Sequence, residues 1–143
     1  MFSRLEIQVQ DLGATALMQQ IKAKMGNPRP VMLDFGERMK GSERRTFEVE
    51  GRPRRWAALK PSTLRAKIHK FGGPGKILQA TTLMMNSINA QVFGNRLEIN
   101  APRKYASFQQ EGTRKMVARP FLLVQAEDWS YFINRWTAYL EGK

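Results

Sequence analysis

The 143-residue sequence contains no cysteine. That excludes disulfides, zinc–thiolate centres and a cysteine nucleophile, and it is compatible with folding in a reducing cytoplasm. Histidine occurs once, as His69, so no histidine pair can hold a metal. His69 sits between Ile68 and Lys70 ahead of a glycine-rich loop. It reads as an exposed or partly packed side chain rather than a general base. Acids are scarce as well, 12 Asp and Glu against 24 Lys and Arg. Glu127 and Asp128 adjoin at the start of an expected helix, where carboxylates complement the helix dipole. Glu48 and Glu50 read as charge partners for nearby arginines. Gly72-Gly73-Pro74-Gly75 lacks the Gly-Lys-Ser/Thr ending of a phosphate loop, and its proline has no N–H to offer a phosphate. No Gly-x-Ser-x-Gly elbow or paired-histidine helix occurs. The chain therefore offers no catalytic, metal-binding or cofactor-binding constellation. No apolar run approaches the ~20 residues that span a bilayer. The opening MFSRLEIQVQ lacks the apolar stretch of a secretory signal, so secretion is not expected.

What is abundant is positive charge. The formal net charge is +12. Arg38 to Lys76 holds twelve lysines and arginines against three glutamates, so most of the excess lies in about a quarter of the chain. Such a balance implies an anionic neighbour: nucleic acid, an acidic protein or an acidic membrane surface. The length fits one domain over 1–143, and the 42% hydrophobic content is ample for a core. A mobile basic loop region is expected around residues 40–76.

Periodicity predicts an α+β fold. Leu5, Ile7 and Val9 alternate with polar residues, as in a half-buried strand. Asp11 is placed to cap a helix that carries Leu12, Ala16, Leu17, Ile21 and Met25 and ends at Gly26-Asn27. Asn27-Pro28 predicts a second helix, with Val31, Met32, Phe35 and Met39 on one face and Pro30 in its first turn. Phe47 and Val49 alternate with Glu48 and Glu50 and suggest a short strand. Pro61 opens a helix with Leu64 and Ile68 pointing one way, and a turn-rich loop from Phe71 to Gly75 follows. Ile77 and Leu78 re-enter the core, and Thr81 to Ile88 reads as a helix with Leu83, Met84 and Ile88 inward. Gly94-Asn95 between two alternating runs is a two-residue hairpin turn. Tyr105 to Glu111 reads as a short helix stopped by Gly112, and Met116 to Leu123 as strand or extended chain broken at Pro120. Ala126 to Leu140 is an amphipathic helix with Trp129, Phe132, Ile133, Trp136 and Leu140 at helical spacing. The result is two N-terminal helices, a small and mostly antiparallel sheet, and a C-terminal amphipathic helix packed on it.

The densest basic stretch is GRPRRWAALKPSTLRAK, Gly51 to Lys67. Arg52, Arg54, Arg55, Lys60, Arg65, Lys67 and Lys70 are candidates to face phosphates or an acidic partner, and Trp56 or Phe71 could stack on a base. No zinc finger or aromatic strand of the RNA-recognition type accompanies them. Trp56, followed by Ala57, Ala58 and Leu59, fits a core or interface anchor better than a base-stacking platform. A small basic nucleic-acid-binding protein is the alternative reading.

Four motifs in order carry a resemblance. They are Trp56-Ala57-Ala58-Leu59 with Pro61-Ser62-Thr63, then Ile77 to Ile88, then Tyr105-Ala106-Ser107-Phe108-Gln109-Gln110-Glu111-Gly112, then Ala118-Arg119-Pro120-Phe121-Leu122. Together they resemble the tailed-phage virion morphogenesis family, also called the tail completion or head–tail joining family. The match covers roughly residues 45–125. Ala58, Thr82, Met84, Gln109 and Val117 depart from the family's usual residues. Trp56, Leu59, Thr63, Tyr105, Gln110, Gly112, Arg119, Pro120 and Phe121 are the motif positions expected to act as structural or interface anchors. The resemblance implies a non-enzymatic structural protein without cofactor. It would sit at the neck or tail top of the virion as a homo-oligomeric ring, assembled in the host cytoplasm. Its partners would be further copies of itself, portal or connector and tail proteins, and double-stranded DNA passing through the lumen. Contact of the basic region with a neighbouring subunit or connector is favoured over a direct grip on DNA, and no membrane role is implied.

Overall fold

A computed structural model describes residues 12–79 and 81–143. The strand expected around Leu5, Ile7 and Val9 and the Asp11 cap lie outside them. The chain runs α1 (Leu12–Met25), α2 (Arg29–Glu48), α3 (Pro61–Phe71), α4 (Leu83–Ser87), β1 (Asn89–Phe93), β2 (Arg96–Asn100), α5 (Ala106–Glu111) and α6 (Ala126–Glu141). The fold is α+β and mostly helical, with one two-stranded antiparallel sheet.

α2 is the spine. Pro30 stands in its first turn, where a missing N–H costs nothing. Val31, Phe35, Met39, Glu43 and Phe47 then recur every fourth residue along one buried stripe. That stripe overturns the strand expected at Phe47–Val49. Phe47 is fully buried as the last rung of α2, and Val49 is a half-exposed C-cap. Of the region around 40–76 expected as a loop, residues up to Glu48 belong to α2 and Pro61–Phe71 form α3.

The β1–β2 hairpin pairs Phe93 with Arg96 across Gly94-Asn95, and Gly94 takes a φ of 60°. It lies on α2, close enough that a Cβ on Gly36 would stand 3.0 Å from the Ala90 Cβ. α6 packs on α2 through Phe35, whose ring centre is 4.8 Å from that of Phe132. α1 packs on α6: Lys24 stands over the Tyr139 ring, and the Tyr139 hydroxyl donates to the Asn27 carbonyl just past the end of α1. The apolar stripe expected on α1 is largely open, with Ile21 half-buried and Leu17 and Met25 exposed. On α6, Phe132, Trp136 and Leu140 are half-buried as expected, while Trp129 and Ile133 face outward.

The main core joins Phe47, Trp56, Met84, Ile88, Ala106 and Phe121, with Ile77 and Leu78 against it. Leu83 was expected to point inward with Met84 and Ile88. α4 is too short to bury a wide face, and Leu83 is half-exposed. Residues 117–125 belong to no helix or strand.

Candidate interaction site

The motif segments, far apart in sequence, meet around residues 119–122. Pro120 has no N–H, so one ladder bond is lost in that segment. The side chain of Gln110, on α5, stands in for a strand. Its Oε1 accepts from the N–H groups of Phe121 and Leu122 at 2.9 and 3.0 Å, and its Nε2 donates to the Leu122 carbonyl at 3.2 Å. The Arg119 N–H donates to the Gln109 carbonyl at 2.7 Å. Its guanidinium reaches across to the carbonyls of Ala57 and Ala58 at 3.1 and 3.2 Å. The Trp56 indole closes the ring of contacts by donating to the Pro120 carbonyl at 2.8 Å.

Packing reinforces these bonds. Trp56 meets Phe47 edge-on at 5.5 Å, and Phe47 lies 5.3 Å from Phe121, which is wholly buried. Gly112 is required where α5 turns into this segment. It has a φ of 77°, and a Cβ there would lie 2.8 Å from the Ala118 nitrogen. Thus Trp56, Gln110, Gly112, Arg119, Pro120 and Phe121 are brought together. Leu59, Thr63 and Tyr105 line an adjoining groove. The arrangement fastens backbone segments to one another.

The seven basic candidates do not form one patch. Arg52 turns inward. Its guanidinium donates to the Ser42 carbonyl and hydroxyl at 2.6 Å each and to the Thr46 hydroxyl, and it pairs with Glu127 at 2.6 Å. Arg55 pairs with Glu50 at 3.0 Å while remaining exposed. Lys70 lies over the Phe71 ring. Lys67 donates to the Lys76 carbonyl, and burial holds its ammonium below the usual range, against an opposing pull from Glu50. Lys60, Arg54 and Arg65 are exposed. A hydrogen bond from the Ile77 N–H, with Arg55 alongside, holds Glu50 below the ordinary carboxylate range. Glu48 is exposed on α2, so the two glutamates share no strand face.

Sequence reasoning missed a second polar cluster between α2 and α6. Asp128 is buried, accepts from the Ser42 hydroxyl at 2.6 Å and pairs with Arg38 at 3.1 Å. It also accepts from the Gln125 N–H, so it caps α6 as well as complementing its dipole. Glu43 lies beside this cluster. Its Oε1 accepts from the Leu123 N–H at 3.1 Å, and its Oε2 has no hydrogen-bond partner among the described residues. Burial, with the charge of Asp128, pushes the Glu43 carboxyl up to about 8, against the Leu123 hydrogen bond and Arg52. The available signal was spacing: Glu43 falls four residues after Met39 and four before Phe47. On α2 and α6 a second link joins Tyr131 to Asp34 at 2.6 Å. It lowers the Asp34 carboxyl and raises the Tyr131 phenol. No group of three or more His, Asp or Glu side chains placed to hold a metal occurs among the described residues. No helix there is long and apolar enough to cross a membrane.

Comparison with known proteins gives one finding. Residues 9–141 match the model of the phage virion morphogenesis family. No curated protein and no solved structure gives a match.

Proposed function

The chain belongs to the phage virion morphogenesis family, and on that premise we propose that it is a structural subunit of the neck or tail top, assembled as a homo-oligomeric ring that completes the tail and joins it to the head. Family membership already assigns it to virion assembly. The observation that carries the finer reading is the pairing of a locked motif core with apolar surface left open on unrelated elements. Trp129 and Ile133 on α6 are 51% and 58% exposed, and Met18 on α1 is 61% exposed. On the motif side Leu83 and Val117 are exposed too. A ring needs two different, complementary faces on every subunit. Apolar patches on separate elements are what such faces require. The motif residues act by holding shape, and no reaction is assigned to them.

The test is the particle population made without this protein. Electron microscopy should show filled heads and tails as separate objects. Normal infectious particles would overturn the joining role.

A further inference from the structure

Beside the locked motifs runs a groove of about 700 Å³. Thr63 and Lys67 of α3 line it together with Tyr105, Met116 and Val117, and Leu78 and the exposed Leu83 add apolar surface. Several of its apolar side chains are open to solvent: Tyr105 is 42% exposed and Val117 59%. Lys60, Lys67 and Lys115 stand among these residues, and no carboxylate does. The remaining cation, Arg119, gives its guanidinium to two carbonyls and receives no ion pair among the described residues.

We propose that this groove docks an acidic segment of a different protein, one whose apolar side chains fill the cleft while its carboxylates meet Lys60, Lys67 and Lys115. Charge complementarity identifies the occupant. A second copy of this chain is a poor source of carboxylates. Among the described residues, every exposed or half-buried acid except Glu48 and Glu111 already stands within 3.1 Å of a lysine or arginine of its own chain. Each copy also carries a net charge of +12. Duplex DNA would satisfy the lysines but leave the exposed Leu83, Tyr105 and Val117 without apolar partners, since phosphates give them nothing to pack on. Lys67 suits an incoming carboxylate well. Its Nζ already rests on the Lys76 carbonyl at 2.8 Å, so the ammonium is positioned before a partner arrives.

The experiment uses the purified full chain and a fluorescein-labelled peptide of alternating leucine and glutamate, read by fluorescence anisotropy in about 0.15 M salt. Saturable binding is expected. It should weaken at least about ten-fold in the Lys60→Glu/Lys115→Glu double variant and in Val117→Asp, a loss of ~1.4 kcal/mol or more. Arg65→Glu, a charge reversal outside the groove, should change it less than about two-fold. Thermal melts confirm that each variant is folded. Three results overturn the proposal: no saturation below about 1 mM, equal loss in Arg65→Glu, or equal binding of a serine–glutamate peptide. Displacement of the peptide by short duplex DNA would reassign the groove to nucleic acid. Sedimentation showing altered self-association in the double variant without peptide binding would reassign it to a second copy.

Discussion

Glu43 is a carboxyl on a rung of the α2 stripe that Met39 and Phe47 otherwise fill with apolar side chains. One oxygen is satisfied by Leu123 and the other by no group among the described residues, which suits a protonated acid better than an anion. Its pKa is raised from 4.5 to about 8, so the folded protein holds a proton there that the unfolded chain has released. Between those limits stability must fall as pH rises, by up to roughly 1.4 kcal/mol per pH unit. Below pH 4.5 both states are protonated and the contribution is fully present, and above about 8 it is lost. Glu43→Gln keeps an acceptor for the Leu123 N–H and cannot ionise. Urea unfolding at a series of pH values should show the wild-type midpoint falling from pH 5 to 8 and the variant nearly flat across the same span. The variant should match wild type at pH 5 within about 1 kcal/mol and exceed it by a few kcal/mol at pH 8. Parallel curves would show that Glu43 does not carry the titration. Its role was hidden in the sequence because a glutamate among arginines reads as a surface charge. Arg52 misleads in the opposite direction. Nothing local separates it from Arg54 and Arg55, and only Ser42, Thr46 and Glu127 draw it inward. Trp56 was readable as an anchor, because a tryptophan followed by Ala57, Ala58 and Leu59 has a place in a core. Its partner, the Pro120 carbonyl, is 64 residues away and leaves no local trace.

Elements were legible where the local signal was self-contained. Gly94-Asn95 fixes the hairpin, Pro61 opens α3, and Gly112 stops α5. The failure at Phe47–Val49 has a physical cause. Phe47-Glu48-Val49-Glu50 satisfies a period of two over four residues, while the competing helical stripe must be followed back to Val31 and through a polar rung. The stretch from Met116 to Leu123, expected as strand or extended chain, forms no strand with a neighbour, and its end is held by Gln110. α3 differs sharply from α2 in what it buries. It begins with Pro61 and ends at Gly72 in the left-handed conformation, so its boundaries are well defined. Yet none of its residues is buried, and Ile68 and Phe71 are 49% and 45% exposed. α2, by contrast, buries eight residues. An eleven-residue helix without a packed face opens cheaply. Amide exchange followed by mass spectrometry should therefore find α3 exchanging at least ~100-fold faster than the centre of α2 in the isolated protein. Equal protection would mean that α3 is packed in solution against something, and its status as a free wall of the groove would fail. If α3 is a contact element in the assembled particle, the same amides gain protection there.

At the scale of the whole molecule, charge and apolar surface pull the two functional readings apart. Each copy carries +12, and its exposed acids are mostly tied to its own cations. Two copies approaching at low ionic strength therefore repel, while the surfaces around Trp129, Ile133 and Met18 favour association. Raising salt from about 0.1 to 1 M shortens the screening length from ~10 to ~3 Å, which removes the repulsion and leaves the apolar term. Contact with DNA responds with the opposite sign, because each neutralised phosphate releases a counterion whose return is favoured at high salt. Sedimentation and duplex-DNA binding across one salt series thus separate a subunit that joins copies of itself from a basic nucleic-acid binder. For the ring subunit, the measured mass should rise with salt, and Trp129→Asp should abolish that rise without lowering DNA affinity. Tryptophan at that position is half-exposed, with its ring centre 6.4 Å from that of Phe35 and 6.1 Å from that of Phe132, whereas Phe35 and Phe132 meet each other at 4.8 Å, so the contact between α2 and α6 remains when the indole is lost. A mass that stays monomeric at every salt concentration, with DNA affinity falling steeply over the same range, would favour the nucleic-acid reading. The sign of the salt response decides the matter because both readings draw on the same cations. Only association between copies needs those cations out of the way.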